Sequence, residues 1–319
     1  MVNLSHSFQY EIEPIPPYNF KLTVKKPAGW SLFTPFEVYE RRSLWTATHL
    51  NGIFIGIKLT SRGTTRRPRI AATLSLKSKP EPESLNGIRR SLAHDLGADE
   101  DLTEFYELAR TDSILSLVID DLYGMHNTTP STIFPDAALA ILLQMAPIKR
   151  SDEMMGCFIK RYGEMAEFDG KKIPVWPRPK RIAKLDALEL TKACKLGYRA
   201  KHLVNLARKL ELEAFPTMEE LEALKPADAK RLLLDLPGIG DYSADIINPH
   251  GGFPIDVWSA DVFGKLFFGE EPTDRRKAIE GIKKEGLRRW GNWSWMAFFY
   301  VVNDLENLSR KLETQLRLI

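Results

Sequence analysis

The chain has very little cysteine: two residues, Cys157 and Cys194, in 319. Two thiols cannot complete a four-cysteine zinc site or an iron–sulfur cluster, and they cannot build a disulfide framework. Histidine is sparse as well. The six (His6, His49, His94, His126, His202, His250) are scattered, with no HExxH or other paired ligand spacing, so a metal enzyme is not expected. No apolar run approaches the roughly 18–20 residues needed to span a bilayer. The opening MVNLSHSFQYEIEP lacks the basic and long apolar regions of a signal peptide. No nucleotide-binding loop, fixed-period repeat or low-complexity tail occurs. Together these absences predict a soluble intracellular protein that needs no metal, ATP or membrane.

What is present is ordinary core-forming composition, 44% apolar and 27% charged, over a length sufficient for two domains. The net charge is only +3, but it is unevenly placed. Between Lys171 and Lys209 stand twelve Lys or Arg residues against two acids, Asp186 and Glu189. Such a block is either a solvated face or a phosphate-binding surface, whose affinity comes from counterion release.

The first part reads as β-rich. Phe20, Leu22 and Val24 alternate with Lys21, Thr23 and Lys25, the period of a half-buried strand. Asn51-Gly52 is a hairpin signal, followed by Ile53, Ile55, Ile57 and Leu59 at period two. Residues 70–76 supply a further strand, and SRGTTRRPR before it reads as a basic hairpin loop. Helical patterns then follow: SLNGIRRSLAHDL, DLTEFYELAR, SILSLVIDDLYG, DAALAILLQM, SDEMMGCFIKRYG, DALELTKACKL and AKHLVNLARKL. A proline-rich basic connector, residues 173–181, interrupts them. Thr217-x-x-Glu220 is a capping box, and Pro226 suits a first helical turn. The expected partition is 1–127, an antiparallel sheet with following helices, and 128–319, all helical.

The most informative stretch is LLLDLPGIGDYSADIINPHGGFPIDVW. A striped helix stops at Leu236-Pro237-Gly238-Ile239-Gly240, and a short helix starts near Asp241. The two glycines permit positive φ and close backbone approach, and amides at the turn and helix start are free to bind a phosphate oxygen. Sixteen positions after Gly240 stands Asp256. It can cap the next helix. It can also serve as the fixed anion that stabilises an oxocarbenium-like sugar and orients water as an N-glycosidic bond breaks. The two roles are compatible.

LPGIGDYSADII…FPIDVWSADVF resembles the helix-hairpin-helix, Gly/Pro-Asp signature of the DNA glycosylase superfamily that includes endonuclease III. AILLQMAPIKRSDEMMGCFIKRYG is similar to that fold's early helix pair, and LGYRAKHLVNLARKL to the helix before the hairpin. RRWGNWSWMAFFYVVND and the N-terminal strands resemble the alkylbase (3-methyladenine) and 8-oxoguanine branches. The likeness covers nearly the whole chain. It implies a mainly α fold with a small N-terminal antiparallel β domain, two-lobed, with the active site in the cleft between lobes.

On that resemblance Asp256 is the catalytic residue, and Gly238, Ile239, Gly240, Tyr242 and Ser243 contact the DNA backbone. Bifunctional members carry a Schiff-base lysine where this chain has Tyr242, which implies a monofunctional enzyme leaving an abasic site. Gln144 and Met145 match the place of the intercalating wedge, and Arg150 would face the orphaned base. Tyr242, Trp295 and Phe298 would line the base pocket. Phe298 stands where 8-oxoguanine enzymes carry a glutamine, and an aromatic pocket suits cationic alkylpurines. Each has a plainer reading: Tyr242, Met145 and the rings of residues 290–300 can be packing residues. The loop around His250-Gly251-Gly252 is shorter than the family's, which leaves substrate choice open. No cofactor is required, although the resemblance allows a monovalent cation on hairpin carbonyls. A monomer acting on damaged double-stranded DNA is expected. The alternatives are a glycosylase for oxidised or deaminated purines, 8-oxoguanine or hypoxanthine, and a non-catalytic helix-hairpin-helix DNA-binding protein.

Overall fold

The computed structural model describes residues 2–28, 36–130, 132–248 and 252–317. Its strands are β1 (Val2–Asn3), β2 (His6–Ile12), β3 (Val38–Glu40), β4 (Ser43–Leu50), β5 (Ile53–Ser61), β6 (Ile70–Leu76), β7 (Glu164–Phe168) and β8 (Lys171–Val175). The helices begin with α1 (Phe20–Val24), α2 (Pro82–Asp95), α3 (Thr103–Thr111), α4 (Ile133–Leu143) and α5 (Ile148–Tyr162). They continue with α6 (Pro179–Ile182), α7 (Ala187–Cys194), α8 (Arg199–Leu212), α9 (Met218–Ala223) and α10 (Pro226–Leu234). The last are α11 (Asp241–Ile247), α12 (Ser259–Phe268), α13 (Arg275–Trp290), α14 (Ser294–Asn303) and α15 (Leu305–Lys311). The chain is thus mainly helical with antiparallel strands near its start, as expected. No helix among the described residues is long and apolar enough to cross a membrane.

Two compact units interleave along the chain. One comprises Met1–Asp101, Gly124–Glu220 and Leu236–Gly238; the other Leu102–Tyr123, Leu221–Asp235 and Ile239–Ile319.

In the first unit a five-stranded antiparallel sheet runs β2-β6-β5-β4-β3. Asn51 and Gly52 both take positive φ, 49° and 75°, the geometry that a two-residue hairpin needs. One sheet face carries Leu44, Leu50, Ile55, Ile57 and Leu59 into a core closed by Ile88 and Leu92 of α2. Trp45 and Ala47 instead pack on Ala166, Phe168 and Ile173 of a second sheet, β1-β7-β8. A Cβ at Gly56 would lie 2.5 Å from the Phe168 ring, so only glycine fits there. The two cysteines are joined in one disulfide between α5 and the end of α7.

Three expectations fail locally. Residues 20–24 form a helical turn, not a strand: Asn19 Oδ1 accepts from Leu22 N at 3.2 Å, and Phe20, Thr23 and Val24 are buried at helical spacing. The supposedly all-helical part contains the β7–β8 hairpin, whose Asp169-Gly170 turn repeats the positive-φ pattern. Residues 113–124, read as a helix, hold only a 3₁₀ turn at Leu115–Leu117. There Asp112 Oδ1 accepts from Ile114 N and Leu115 N at 2.9 Å each, an alternative that competes with helical bonding. The capping box holds: Glu220 Oε2 accepts from Thr217 N at 2.8 Å, and Thr217 Oγ1 accepts from Glu220 N at 3.2 Å. Pro226 opens α10.

Candidate functional site

The α10 stripe ends before Leu236-Pro237, and the turn places its two glycines in unlike conformations. Gly238 has φ +86°, and a Cβ there would lie 2.7 Å from His202 Cβ. Gly240 has φ −103°, and a Cβ there would stand in open space. Only the first therefore needs the left-handed region. The second is required by nothing in the described chain, which leaves its backbone approachable from outside. Ile239 and Ser243 are buried, so what they can offer a phosphate is main-chain N–H. Ala244 N is bonded to Gly240 O at 2.9 Å; the amides just before it lack a helical acceptor.

Behind α11 lies a group of charges that motif reading missed. Asp245 is 1% exposed and lies 2.7 Å from Lys230 Nζ and 2.9 Å from Lys283 Nζ. Both lysines also pair with Asp241. Burial lowers the lysine pKa values, but their two aspartates outweigh it and hold both ammoniums above the ordinary value. The cluster ties together α10, α11 and α13. Gly252, at φ +88°, fits beside it because a Cβ would lie 2.5 Å from Asp245 Oδ1. Ser294 Oγ donates to Gly252 O at 3.0 Å, fixing the chain just ahead of Asp256. His250 and Gly251, the centre of the shortened loop, lie outside the described residues.

Asp256 uses one carboxylate oxygen as a cap. Its Oδ1 accepts from Trp258 N (3.0 Å), Ser259 N (2.8 Å) and Ser259 Oγ (2.8 Å). The Ser259 hydroxyl also accepts from Asp256 N at 2.9 Å. Oδ2 has no hydrogen bond among the described residues, so the group is oriented while half of its acceptor capacity stays free. Tyr242 is near enough for this charge to matter: burial first, and Asp256 second, raise the phenol pKa and keep it protonated. Trp295 stacks on Phe299 with centroids 5.4 Å apart, and its buried Nε1 has no acceptor among the described residues. Phe298 lies against Phe253 and Phe263 in the ring cluster around Trp290. Its place is that of a core residue as well as a pocket candidate.

In the first unit α4 stops at Leu143. Gln144 Nε2 donates to Gly238 O at 2.6 Å, and Gln144 O accepts from Arg199 Nη2. Gln144 thus organises the turn through its amide. Met145 follows with φ +49° and is 70% exposed. Its reading as core filler is set aside, because an exposed, unbranched apolar side chain on left-handed backbone is presented to solvent. Arg150 Nη2 donates to Lys195 O at 2.7 Å, which leaves it partly engaged. Tyr198, 51% exposed, and Arg199, whose guanidinium lies 4.8 Å from the Tyr198 ring centroid, were not singled out by the sequence. A cation on hairpin carbonyls would share them with Gln144, which already occupies that of Gly238.

No family model matches the chain. It is 27% identical over 212 residues to the DNA-3-methyladenine glycosylase of Bacillus subtilis, covering 64% of this chain and 67% of that protein. Among solved structures it is similar to the 3-methyladenine DNA glycosylase of Archaeoglobus fulgidus. The TM-score is 0.73 at 20% identity, over 96% of this chain and 99% of the other. The 8-oxoguanine glycosylase/lyase of Clostridium acetobutylicum matches with a TM-score of 0.67 at 15% identity, over 94% and 99% of the two chains. The chain therefore has the helix-hairpin-helix DNA glycosylase fold.

Proposed function

On this fold, we propose that the chain is a monofunctional DNA glycosylase of base excision repair, acting first on alkylated purines. The observation that carries the proposal is Asp256: Oδ1 is locked by three donors and Oδ2 has no hydrogen bond among the described residues. As the base departs, positive charge builds on the sugar, and a preoriented carboxylate stabilises it with no reorganisation. The free oxygen also aligns a water molecule. Water's oxygen bonds to the anomeric carbon, and its proton passes to the free carboxylate oxygen and on to solvent. The N-glycosidic bond breaks, and the cationic alkylpurine leaves as a neutral base with the bond's electron pair. An abasic site remains. Met145 would fill the space left by the flipped nucleotide, while Gly238, Gly240 and the amides around Ser243 would hold the backbone.

Tyr242 stands where a Schiff-base lysine would, and it is a protonated phenol. Lys230 and Lys283 are charged and paired with Asp241 and Asp245, so neither supplies a free amine. Both points support hydrolysis without strand cleavage. The likeness to an 8-oxoguanine glycosylase/lyase favours, as second reading, an oxidised purine substrate.

Single-turnover base release from duplexes carrying one lesion each tests the proposal. Alkylpurine release is expected, with strand breaks only after alkali. Asp256→Asn should lower the rate on the order of 10²–10³-fold and leave duplex affinity unchanged. Breaks without alkali would refute the monofunctional assignment, and equal rates for the two proteins would remove Asp256 from the chemistry.

A further inference from the structure

The basic block of residues 171–209 is largely engaged within the chain. Lys171, Lys172, Arg178 and Lys209 pair with glutamates, and Arg181, Arg199 and Arg208 donate to carbonyls. The loop between β5 and β6 is different. Arg62, Arg66 and Arg67 are exposed and have no acidic partner among the described residues. Arg69 has only a loose pair with Glu13 at 3.8 Å, both exposed.

These arginines are not on a floppy strap. Thr64 N donates to Arg67 O at 3.0 Å, Arg67 N to Thr64 O at 3.2 Å, and Arg62 N to Arg69 O at 2.8 Å. Gly63 lets the loop close: a Cβ there would lie 2.1 Å from Arg67 O. Tyr18 N donates to Thr65 O at 2.9 Å, anchoring the loop to the segment before α1. Below it is a cavity of about 220 Å³, whose lining includes Lys21, Tyr39, Arg42 and Arg69. Arg42 Nη2 is held by Gly63 O at 2.8 Å. A rigid loop thus keeps four like charges together against one loosely paired carboxylate, Glu13, an arrangement stabilised by an outside polyanion. Guanidinium groups match phosphate oxygens with paired donors.

We propose that the Ser61–Arg69 loop is a second phosphate-binding surface, which grips the backbone of duplex DNA independently of base chemistry. The choice of duplex DNA as the polyanion rests on the glycosylase reading above.

The test is the salt dependence of binding to an undamaged duplex by full-length protein, wild type against R62A/R66A/R67A. Each phosphate contact contributes about 0.9 to the slope of log K against log salt. The alanine variant should therefore have a slope shallower by about two to three, with R62K/R66K/R67K retaining the wild-type slope. If the alanine variant does not fold, R62Q/R66Q/R67Q replaces it. Unchanged slope and affinity would overturn the proposal, as would lost binding to duplex RNA or anionic vesicles with DNA binding intact. Base release at saturating enzyme is read separately. If no protein releases a base but the slope still falls, the surface stands and the glycosylase reading fails.

Discussion

The helical hairpin and the Ser61–Arg69 loop are both tight turns, each built around a glycine that the chain itself requires. Gly238 is forced by positive φ and by His202, Gly63 by the Arg67 carbonyl. Both are rich in cations nearby. At the hairpin, Lys230 and Lys283 face Asp241 and Asp245, so their charge is consumed in holding three helices together. In the loop, Arg62, Arg66 and Arg67 are exposed and form no ion pair among the described residues. Cations therefore mean architecture in one place and an outward-facing field in the other.

The comparison can be broken most forcefully at Lys283. Lys283→Met leaves buried Asp245 with one partner, and should destabilise the protein toward the low end of about 3–5 kcal/mol in denaturant unfolding. A change within experimental error would show that the hairpin cations are as dispensable to stability as those of the loop. Next come the two obligatory glycines. Gly238→Ala should cost about 1–3 kcal/mol through backbone strain, and Gly63→Ala about 1–3 kcal/mol through overpacking. If either is neutral, the corresponding turn relaxes and is not rigid.

Asp241 gives a smaller, pH-dependent effect. Burial raises its pKa, but Lys230 and Lys283 outweigh that and hold it below its ordinary 3.8. Its contribution is thus present above that value and lost as pH falls through the depressed folded value. The melting-temperature gap between wild type and Asp241→Asn should be open near neutrality and close at strongly acidic pH. A pH-independent gap would show that charge is not its cause. Smallest in stability are Gly240→Ala and Arg66→Ala, each within about 0.5 kcal/mol of wild type. Both should nevertheless weaken duplex binding, since neither position serves the chain's own packing.

The turn, the carboxylate and the helix caps were legible because each depends on a few residues at short fixed spacing. Asp256 reads as both cap and candidate catalyst; the structure commits Oδ1 to the cap and gives Oδ2 no hydrogen bond among the described residues. Residues 20–24 were misread because five residues fit alternation and a single helical turn equally well. Lys230, Asp245 and Lys283 escaped notice because they come from three helices and meet only after folding. Met145 could be core or wedge in sequence; its exposure and left-handed backbone set aside the core reading alone. Arg199 looked like part of a phosphate-binding block and instead reaches the Gln144 carbonyl.

The parallel pairing of β1 with β7 sets Val2 opposite Ala166. A ribosome adds roughly 5–20 residues per second, so the first strand emerges about ten to thirty seconds before the strand it lies beside. For that interval the five-stranded sheet can form while Val2 and Asn3 lack their β7 partner. Val2 and Asn3 can therefore pair only once β7 has been made, and a fragment beginning at residue 128 would leave that edge of β7 without β1.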